Sequence, residues 1–165
     1  MSDTSQTSSW SYASAPENTD HIVLKERYDL FINGEFIKPD SKKYFKSINP
    51  ATGEVIASIS EANKKDVDLA VASARKAFTS WSKIEPKERA KYIFRIARMI
   101  QERAKEFAII ESIDGGKPIR ESRDVDIPLA ASHFFYYAGW ADKLEYAFPN
   151  KTPKPIGVAG QIIPW

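Results

Sequence analysis

The sequence predicts a mixed α/β fold, in which a small antiparallel β unit precedes a helical segment and one buried strand. An Asn-Gly pair divides two short apolar segments near the start of the folded part. Apolar residues then recur at intervals of three and four. Finally, a proline-rich connector leads into Ile156–Trp165, a mostly apolar run with two glycines. Such a run is typical of a strand whose two faces are both buried in a parallel sheet.

Two β-hairpins are predicted at the start of the folded part. The first is centred on Asn33-Gly34, a pair that readily adopts the positive φ angles of a type I′ turn. The second has the turn sequence Asn-Pro-Ala-Thr-Gly at 49–53, between strands at 44–48 and 54–60. Apolar and polar residues alternate in the last of these strands, which indicates that one face is buried.

Three helical stretches follow the hairpins. The first has apolar residues spaced by three and four along its length, with Asn63 and Asp66 as an N-cap pair. The second begins at Glu85-Pro86, since proline is tolerated in a first turn, and it ends at Gly115-Gly116. The third is interrupted or kinked around Pro128. The apolar stripes of these helices are expected to form the core.

Composition argues against several classes of function. The net charge is +2, from 24 basic and 22 acidic residues, so no sustained field of one sign is expected to hold nucleic acid or an anionic membrane. No run is apolar and long enough for a membrane-spanning helix. The sequence has no cysteine, so these residues supply no disulfide, thiolate or cysteine-based metal site. A cytoplasmic protein is the default expectation.

Residues 1–27 are predicted to be a disordered tail and residues 28–165 the folded domain. The tail is rich in Ser and Thr and has almost no aliphatic residue before Ile22, so we expect that it cannot bury enough apolar surface to offset its ordering entropy. It lacks the apolar block of a secretory signal, and the absence of arginine before Arg27 argues against a transit peptide. Trp10 and Tyr12 could alternatively anchor a short docking motif.

The glycine-containing motifs do not define a nucleotide site by themselves. The sequence Asp114–Pro118 (Asp-Gly-Gly-Lys-Pro) lacks the spacing of a phosphate-binding P-loop, so we interpret it as a helix stop. Gly157 and Gly160 likewise lack the spacing of a dinucleotide fingerprint.

The acidic residues and histidines give equally weak signals. Glu121, Asp124 and Asp126 could hold a hard cation, but such a cluster on a helix is more typical of a solvated face. His133 lies on a mostly apolar helix and is expected to be packed. No Ser/His/Asp or Cys/His set can be assembled. The residue patterns alone therefore predict a chain of helices and strands with unknown chemistry.

Five segments of the sequence are informative when they are taken together. They are Leu30–Phe36, Ile48–Ile56, Asp114–Pro118, Tyr137–Lys143 and Pro155–Trp165. In their order and spacing they resemble the N-terminal portion of the aldehyde dehydrogenase superfamily. The resemblance covers about residues 28–165. It implies an incomplete aldehyde dehydrogenase fold, with small β-hairpins, a helical segment and the first strand of a Rossmann-like cofactor domain. It also implies an oligomeric, NAD- or NADP-dependent enzyme that oxidises an aldehyde to a carboxylic acid.

The resemblance implies site residues as well. The family segment whose strand end lines the cofactor cleft is matched by Ile162, Ile163, Pro164 and Trp165. This placement agrees with ligand binding at the carboxyl ends of strands in open α/β sheets. A structural monovalent cation is held in some members at positions matched by Asp114 and by the backbone carbonyl of Ser47 or Ile48.

No catalytic residue is assigned to this chain. In the family an asparagine that stabilises the oxyanion directly follows the tryptophan matched here, and the nucleophilic cysteine, the glutamate base and a cofactor-binding lysine come later. The chain alone is therefore expected to be inactive. The connector from Asp142 to Pro155 is shorter and richer in proline than the family's oligomerisation hairpin.

Three hypotheses follow from these observations. The leading one is the N-terminal piece of an aldehyde dehydrogenase, with a small-molecule aldehyde as the substrate of the whole enzyme. The second is a short non-catalytic protein that docks on full-length relatives or regulates them. The third is a helical interaction domain of other ancestry. In the first case we expect a homo-oligomer or self-association through the apolar strand Ile156–Trp165.

Overall fold

Two small sheets follow a short 3-10 helix (Thr19–His21) at the start of the structure, a computed structural model that describes residues 17–163. The strands are β1 (Arg27–Tyr28), β2 (Leu30–Ile32), β3 (Glu35–Ile37), β4 (Tyr44–Ile48) and β5 (Val55–Ser60). One sheet has the strand order β1-β5-β4, with β1 parallel and β4 antiparallel to β5. The other is the antiparallel pair β2-β3.

Both predicted hairpins are confirmed. Asn33 and Gly34 have φ angles of 56° and 84° and join β2 to β3, as a type I′ turn requires. In the second hairpin the Asn49 amide donates to the Glu54 carbonyl at 2.9 Å, which closes the turn between β4 and β5. Gly53 supplies the positive φ, 74°, that this turn requires.

The helical part follows the sheets. Its elements are α1 (Lys64–Trp81), α2 (Pro86–Glu102), α3 (Ala104–Gly115), the short α4 (Ile119–Glu121), a π-helical segment (Ser122–Asp126), α5 (Ile127–Trp140) and α6 (Leu144–Ala147). Among residues 17–163, no helix has the length and apolar character needed to cross a bilayer.

The predicted N-cap of α1 is confirmed. The Asn63 side chain accepts from the Asp66 amide at 3.2 Å, and the Asp66 carboxylate accepts from the Asn63 amide at 2.9 Å. Asp66 is only 4% exposed and also accepts from the Asp40 amide at 3.0 Å. The capping pair therefore ties the start of α1 to the loop that follows β3.

The second predicted helix is divided in two at Arg103, where φ and ψ are −107° and 19°. The guanidinium of Arg103 donates to both carboxylate oxygens of Glu106, at 2.8 and 2.6 Å, and lies 5.3 Å from the centroid of the Phe107 ring. The apolar spacing continues through Ile100, Ala104 and Phe107, so it gives no sign of the break.

We expect Arg103→Gln to raise the pKa of Glu106, because the hydrogen bonds from Arg103 hold that pKa below its ordinary value. Since the folded-state pKa is lowered, the pair stabilises the fold above the unfolded pKa. This contribution is lost as pH falls through the folded pKa. Carboxyl carbon NMR titration measures the change. Arg98→Gln, which removes a 3.7 Å pair with Glu102, is the control and should leave the Glu106 titration unaltered.

The predicted interruption near Pro128 is present, and it precedes the proline. The Ile127 amide donates to the Ser122 carbonyl five residues earlier, which is the π-helical pattern. Pro128 then occupies the first turn of α5. Proline has no amide to donate four residues back, so a wider turn before it disturbs fewer hydrogen bonds than a regular helix would. Ser122 is fully buried, and its hydroxyl lies 3.3 Å from that of Ser112.

The best-packed part of the helical region lies between α2 and α5. The rings of Phe94 and Phe135 meet edge to face with centroids 5.0 Å apart. Ala97 of α2 and Ala131 and Ala138 of α5 are also buried. These small side chains let the two helices approach closely, so this pair fixes the centre of the helical region.

The predicted burial of the α1 stripe is wrong for much of its length. Val67 remains 54% exposed and Trp81 44% exposed. The main contact of α1 within residues 17–163 is with strand β2. A two-stranded sheet is too small to cover a helix of 18 residues.

The predicted final strand is not formed in its described part. Residues 151–163 contain neither helix nor strand, and Ile156 and Ile162 are almost fully exposed. A strand needs a neighbour to pair its backbone N–H and C=O groups, and none of the five strands described lies beside this segment. Pro164 and Trp165 lie outside the described residues.

Candidate functional site

The end of α3 meets the β4–β5 hairpin, and this junction joins two positions predicted for a cation. The Ser47 hydroxyl donates to the Asp114 carboxylate at 2.5 Å, although 67 residues separate them. Ile48, the third position, is the next residue of β4 and has a half-exposed side chain. Oxygen atoms of this kind are the ligands that hard cations prefer. Among residues 17–163 no group of three His, Cys, Asp or Glu residues is placed to hold a metal ion.

The predicted helix stop at Gly115-Gly116 is confirmed, and it positions Asp114. Gly116 caps α3 with a φ of 71°, and its amide donates to the Ser112 carbonyl at 3.0 Å. A Cβ atom at Gly116 would lie 2.6 Å from Cγ of Pro50, so the end of α3 packs directly on the turn of the second hairpin. Two of the segments that resemble the family therefore meet at this junction.

A small apolar cavity of about 250 Å3 lies beside the Ser47–Asp114 hydrogen bond. Side chains from β5, α3 and the segment before β2 form its walls. These are Leu24, Tyr28, Ile56, Ala57, Ile59, Ile110 and Ile113, with Ser47 and Asp114 as the remaining lining residues. The cavity is thus apolar on most sides and polar at one place.

The segment 17–28, which we call the N-terminal strap, closes one side of this cavity. The Glu17 carboxylate accepts from the Arg123 guanidinium at 2.9 Å, and its side chain is 13% exposed. At the other end, Arg27 lies opposite Ser58 in the parallel pair β1-β5. Residues 17–27 of the predicted tail therefore contact the folded part, whereas residues 1–16 lie outside the described residues.

Sequence reasoning missed Leu24 as a cavity residue because it was assigned to the tail. The signal was the short apolar run Ile22-Val23-Leu24, the first in the chain. Ile22 and Leu24 are partly buried in the strap, whereas Val23 is 94% exposed. This alternation is that of an extended segment with one face covered.

The other acidic candidates lie in separate ion pairs. Asp124 accepts from the Arg123 guanidinium at 2.6 and 2.8 Å, and this hydrogen bonding lowers the pKa of Asp124. Asp126 accepts from Lys117 at 2.6 Å, which raises the pKa of the lysine. Glu121 is exposed. The predicted solvated face fits this arrangement better than a cation site does.

The prediction that His133 is packed is wrong, since this residue is exposed. Helix α5 buries the face that carries Ala131 and Ala138. A residue two positions after Ala131 lies about 200° further around the helix, on the opposite side. Because most residues of α5 are apolar, the sequence pattern did not show which side of the helix carries His133.

The predicted cofactor residues do not form a cleft within the described part of the chain. Ile162 and Ile163 are 99% and 77% exposed, on a segment without a neighbouring strand. Pro164 and Trp165 lie outside the described residues. Residues 156–163 alone therefore do not fit a bound dinucleotide, and their role at a cofactor stays a prediction.

Comparison with known proteins identifies the family of this chain. The family model described as "Aldehyde dehydrogenase family" matches residues 36–165. The chain belongs to the aldehyde dehydrogenase family. Its mixture of helices and strands is accordingly part of the aldehyde dehydrogenase fold, as the resemblance implied. Membership also excludes the hypothesis of a helical domain of other ancestry.

Individual aldehyde dehydrogenases show how much of the family the chain covers. An aldehyde dehydrogenase of Alternaria alternata is 46% identical over 145 residues, which cover 82% of this chain and 29% of the relative. A mitochondrial benzaldehyde dehydrogenase of Antirrhinum majus is 43% identical over 164 residues, 93% of this chain and 31% of the relative. The NAD+ complex of an aldehyde dehydrogenase from Bacillus cereus is 41% identical with a TM-score of 0.70, over 72% of this chain and 25% of that one. The chain spans less than a third of the length of these proteins.

Proposed function

We propose that this chain provides the N-terminal part of an oxidoreductase that converts an aldehyde to a carboxylic acid with NAD+ or NADP+. The observation that carries the proposal is the likeness to the Bacillus cereus enzyme, with 41% identity and a TM-score of 0.70. In this view residues 17–163 supply a frame, made of the two sheets and the α2–α5 pair. The frame positions the segment that enters the cofactor domain.

That segment, residues 156–163, pairs with a neighbouring strand of a parallel sheet in the proposed enzyme. Ile156 and Ile162 are almost fully exposed in the chain alone. Burying such a side chain contributes roughly 1.5 to 3 kcal/mol. In the paired state Ile162 and Ile163 lie near the carboxyl end of the strand, where ligands bind in open α/β sheets.

The reactive groups are proposed to lie outside these 165 residues. The family chemistry inferred from the resemblance uses a thiolate, and the sequence has no cysteine. The chain by itself is therefore proposed to be inactive. A monovalent cation at Ser47, Ile48 and Asp114 and a homo-oligomeric state are parts of the same proposal. A cytoplasmic location stays a prediction, and the Antirrhinum relative is named as mitochondrial.

A chimera tests the proposal. Residues 36–163 of this chain replace the aligned segment of the Bacillus cereus enzyme, and NADH formation is followed with aliphatic and aromatic aldehydes. We expect a kcat/KM within about tenfold of the parent, because 41% identity preserves the packing positions of the shared fold. The same chimera with Ile156→Asp and Ile162→Asp is the matched control and should lose activity. A folded chimera of the parent's oligomeric state without turnover contradicts the proposal.

The 165-residue chain assayed alone separates the two remaining hypotheses. Without added enzyme we expect no aldehyde-dependent NADH above the buffer blank, and turnover would refute the proposed inactivity. Added to the intact Bacillus enzyme, the chain should leave its kcat unchanged. A saturable change in kcat would instead favour a regulatory protein that docks on relatives.

A further inference from the structure

A groove of about 690 Å3 runs between α2 and α5, and we call it the α2–α5 groove. Its volume is within the range of about 300 to 1,000 Å3 that is typical of small-molecule sites. The ring of Phe94 remains 52% exposed although it meets Phe135 edge to face, so the base of the groove offers apolar surface to a ligand. The apolar lining residues are Ala90, Phe94, Phe135, Ala138 and Gly139.

The polar lining of the groove is predominantly cationic. Four basic side chains line it against the two carboxylates of Glu102 and Asp142. A lining with a net positive charge attracts anions. The matching ligand is therefore an anion with an apolar body. The basic residues are Lys91, Arg95, Arg98 and Lys143.

Both lysines of the groove already have close partners. Lys91 lies 2.5 Å from the Glu88 carboxylate. Lys143 donates to the Asp142 carboxylate at 2.7 Å and to the Gly139 carbonyl at 2.9 Å. The hydrogen bond from Lys143 lowers the pKa of Asp142, so this carboxylate stays ionised and paired at neutral pH.

The two arginines are less engaged. Arg98 lies 3.7 Å from Glu102, and these side chains are 55% and 63% exposed, so their ion pair contributes little. Among residues 17–163, Arg95 has no ion-pair partner, unlike Lys91 and Arg98. Residues three apart on a helix share a face, so both guanidinium groups can reach one ligand. Guanidinium donors match the geometry of a carboxylate.

We propose that the α2–α5 groove binds a medium-chain aliphatic carboxylate. The carboxylate accepts from Arg95 and Arg98, and the alkyl chain lies on the rings of Phe94 and Phe135 and extends toward Gly139. A small inorganic anion would use the arginines but gain nothing from the rings. A neutral chain would gain from the rings and not from the arginines. The affinity must therefore depend on both chain length and charge.

The test titrates the full chain, methyl-labelled at alanine, with butanoate, hexanoate, octanoate and decanoate at neutral pH and constant ionic strength. Each added methylene should raise the affinity about two- to threefold, less than for full burial, because the groove covers one side of the alkyl chain. The methyl signals of Ala90 and Ala138 should shift with saturation, and that of Ala57 on β5 should not. Equal affinities along the series, or equal shifts at Ala57, would overturn the proposal. Absence of saturable shifts at Ala90 and Ala138 would overturn it as well.

Paired variants assign the charge. Arg95→Gln should weaken octanoate binding about fivefold or more, since hydrogen bonds to charged groups are the strong ones. Arg75→Gln changes an exposed arginine of α1 outside the groove and should bind as the unaltered chain does. Octylammonium, which has the same chain with the opposite charge, should bind at least tenfold more weakly than octanoate. Equal effects of the two substitutions, or equal binding of the two ions, would refute a role for Arg95.

A second pair of variants tests the position of the alkyl chain. A Cβ atom at Gly139 would have no other atom within 4 Å, so the space beside it is open. Gly139→Leu should fill this space and weaken octanoate binding about tenfold, whereas Gly139→Ala should weaken it less than about threefold. Both substitutions raise helix propensity, and circular dichroism checks that the fold is kept. If the two variants bind octanoate equally well, the chain does not lie in the groove and the proposal is wrong.

Discussion

The chain with Ile156→Asp and Ile162→Asp is expected to sediment as a monomer at concentrations where the unaltered chain self-associates. Both side chains are almost fully exposed on a segment whose backbone lacks a neighbouring strand among the residues described. Pairing between copies would bury them and satisfy the backbone groups at the same time. At roughly 1.5 to 3 kcal/mol for each side chain, the association constant should fall by about a hundredfold or more.

The matched control places two aspartates at exposed aliphatic positions elsewhere in the chain, Val23→Asp and Val125→Asp. These positions are 94% and 54% exposed and lie outside the segment, so the substitutions change apolar surface and charge to a similar degree. Self-association should persist in this variant and should weaken in a chain that ends at Pro149. A monomeric unaltered chain with sharp thermal unfolding would contradict this expectation, because it would show that residues 156–163 do not drive association.

The second large effect is expected for Gly116→Ala, which should lower the free energy of unfolding by about 2 to 4 kcal/mol. The left-handed φ of 71° costs an alanine part of this, about 1 to 2 kcal/mol. The remainder comes from the approach of the new methyl group to Cγ of Pro50, 2.6 Å away in the present geometry. A proline ring has little freedom to move aside, so the end of α3 must shift.

Gly53→Ala is the natural comparison for this substitution. Gly53 has nearly the same backbone conformation, with φ of 74°, but no atom lies within 4 Å of an added Cβ. Only the conformational cost of about 1 to 2 kcal/mol is expected there. Urea denaturation of both variants measures the difference. Equal losses would show that the contact with Pro50 contributes nothing, and a Pro50→Ala background should recover part of the Gly116→Ala loss.

Local chemistry predicted the hairpins and the caps correctly. The Asn33-Gly34 turn and the Asn63–Asp66 capping pair depend on residues close in sequence, and both are present as expected. The break at Arg103 is local too, yet arginine favours a helix and the apolar spacing continues across it. Spacing indicates which face of a helix is apolar and does not show where a helix ends.

Features that depend on a distant partner were harder to predict. The apolar stripe of α1 and the segment after Pro155 both carry suitable residues. Among the residues described, however, only β2 covers part of the stripe, and no strand pairs with the segment. The contact between Ser47 and Asp114 was suggested only by the family resemblance, because no local pattern links residues on a strand and on a distant helix. The contact of the strap with the folded part was not predicted, because the three aliphatic residues of the strap lie within a polar segment.

The parallel pairing of β1 with β5 determines the order in which the chain can fold as it is synthesised. Arg27 and Tyr28 leave the ribosome early, but their partners Ser58 and Ile59 follow some thirty residues later. In the meantime the β2–β3 hairpin can close by itself, since its partners are adjacent in sequence. The β1 end of the strap therefore stays unpaired until the second hairpin has been synthesised.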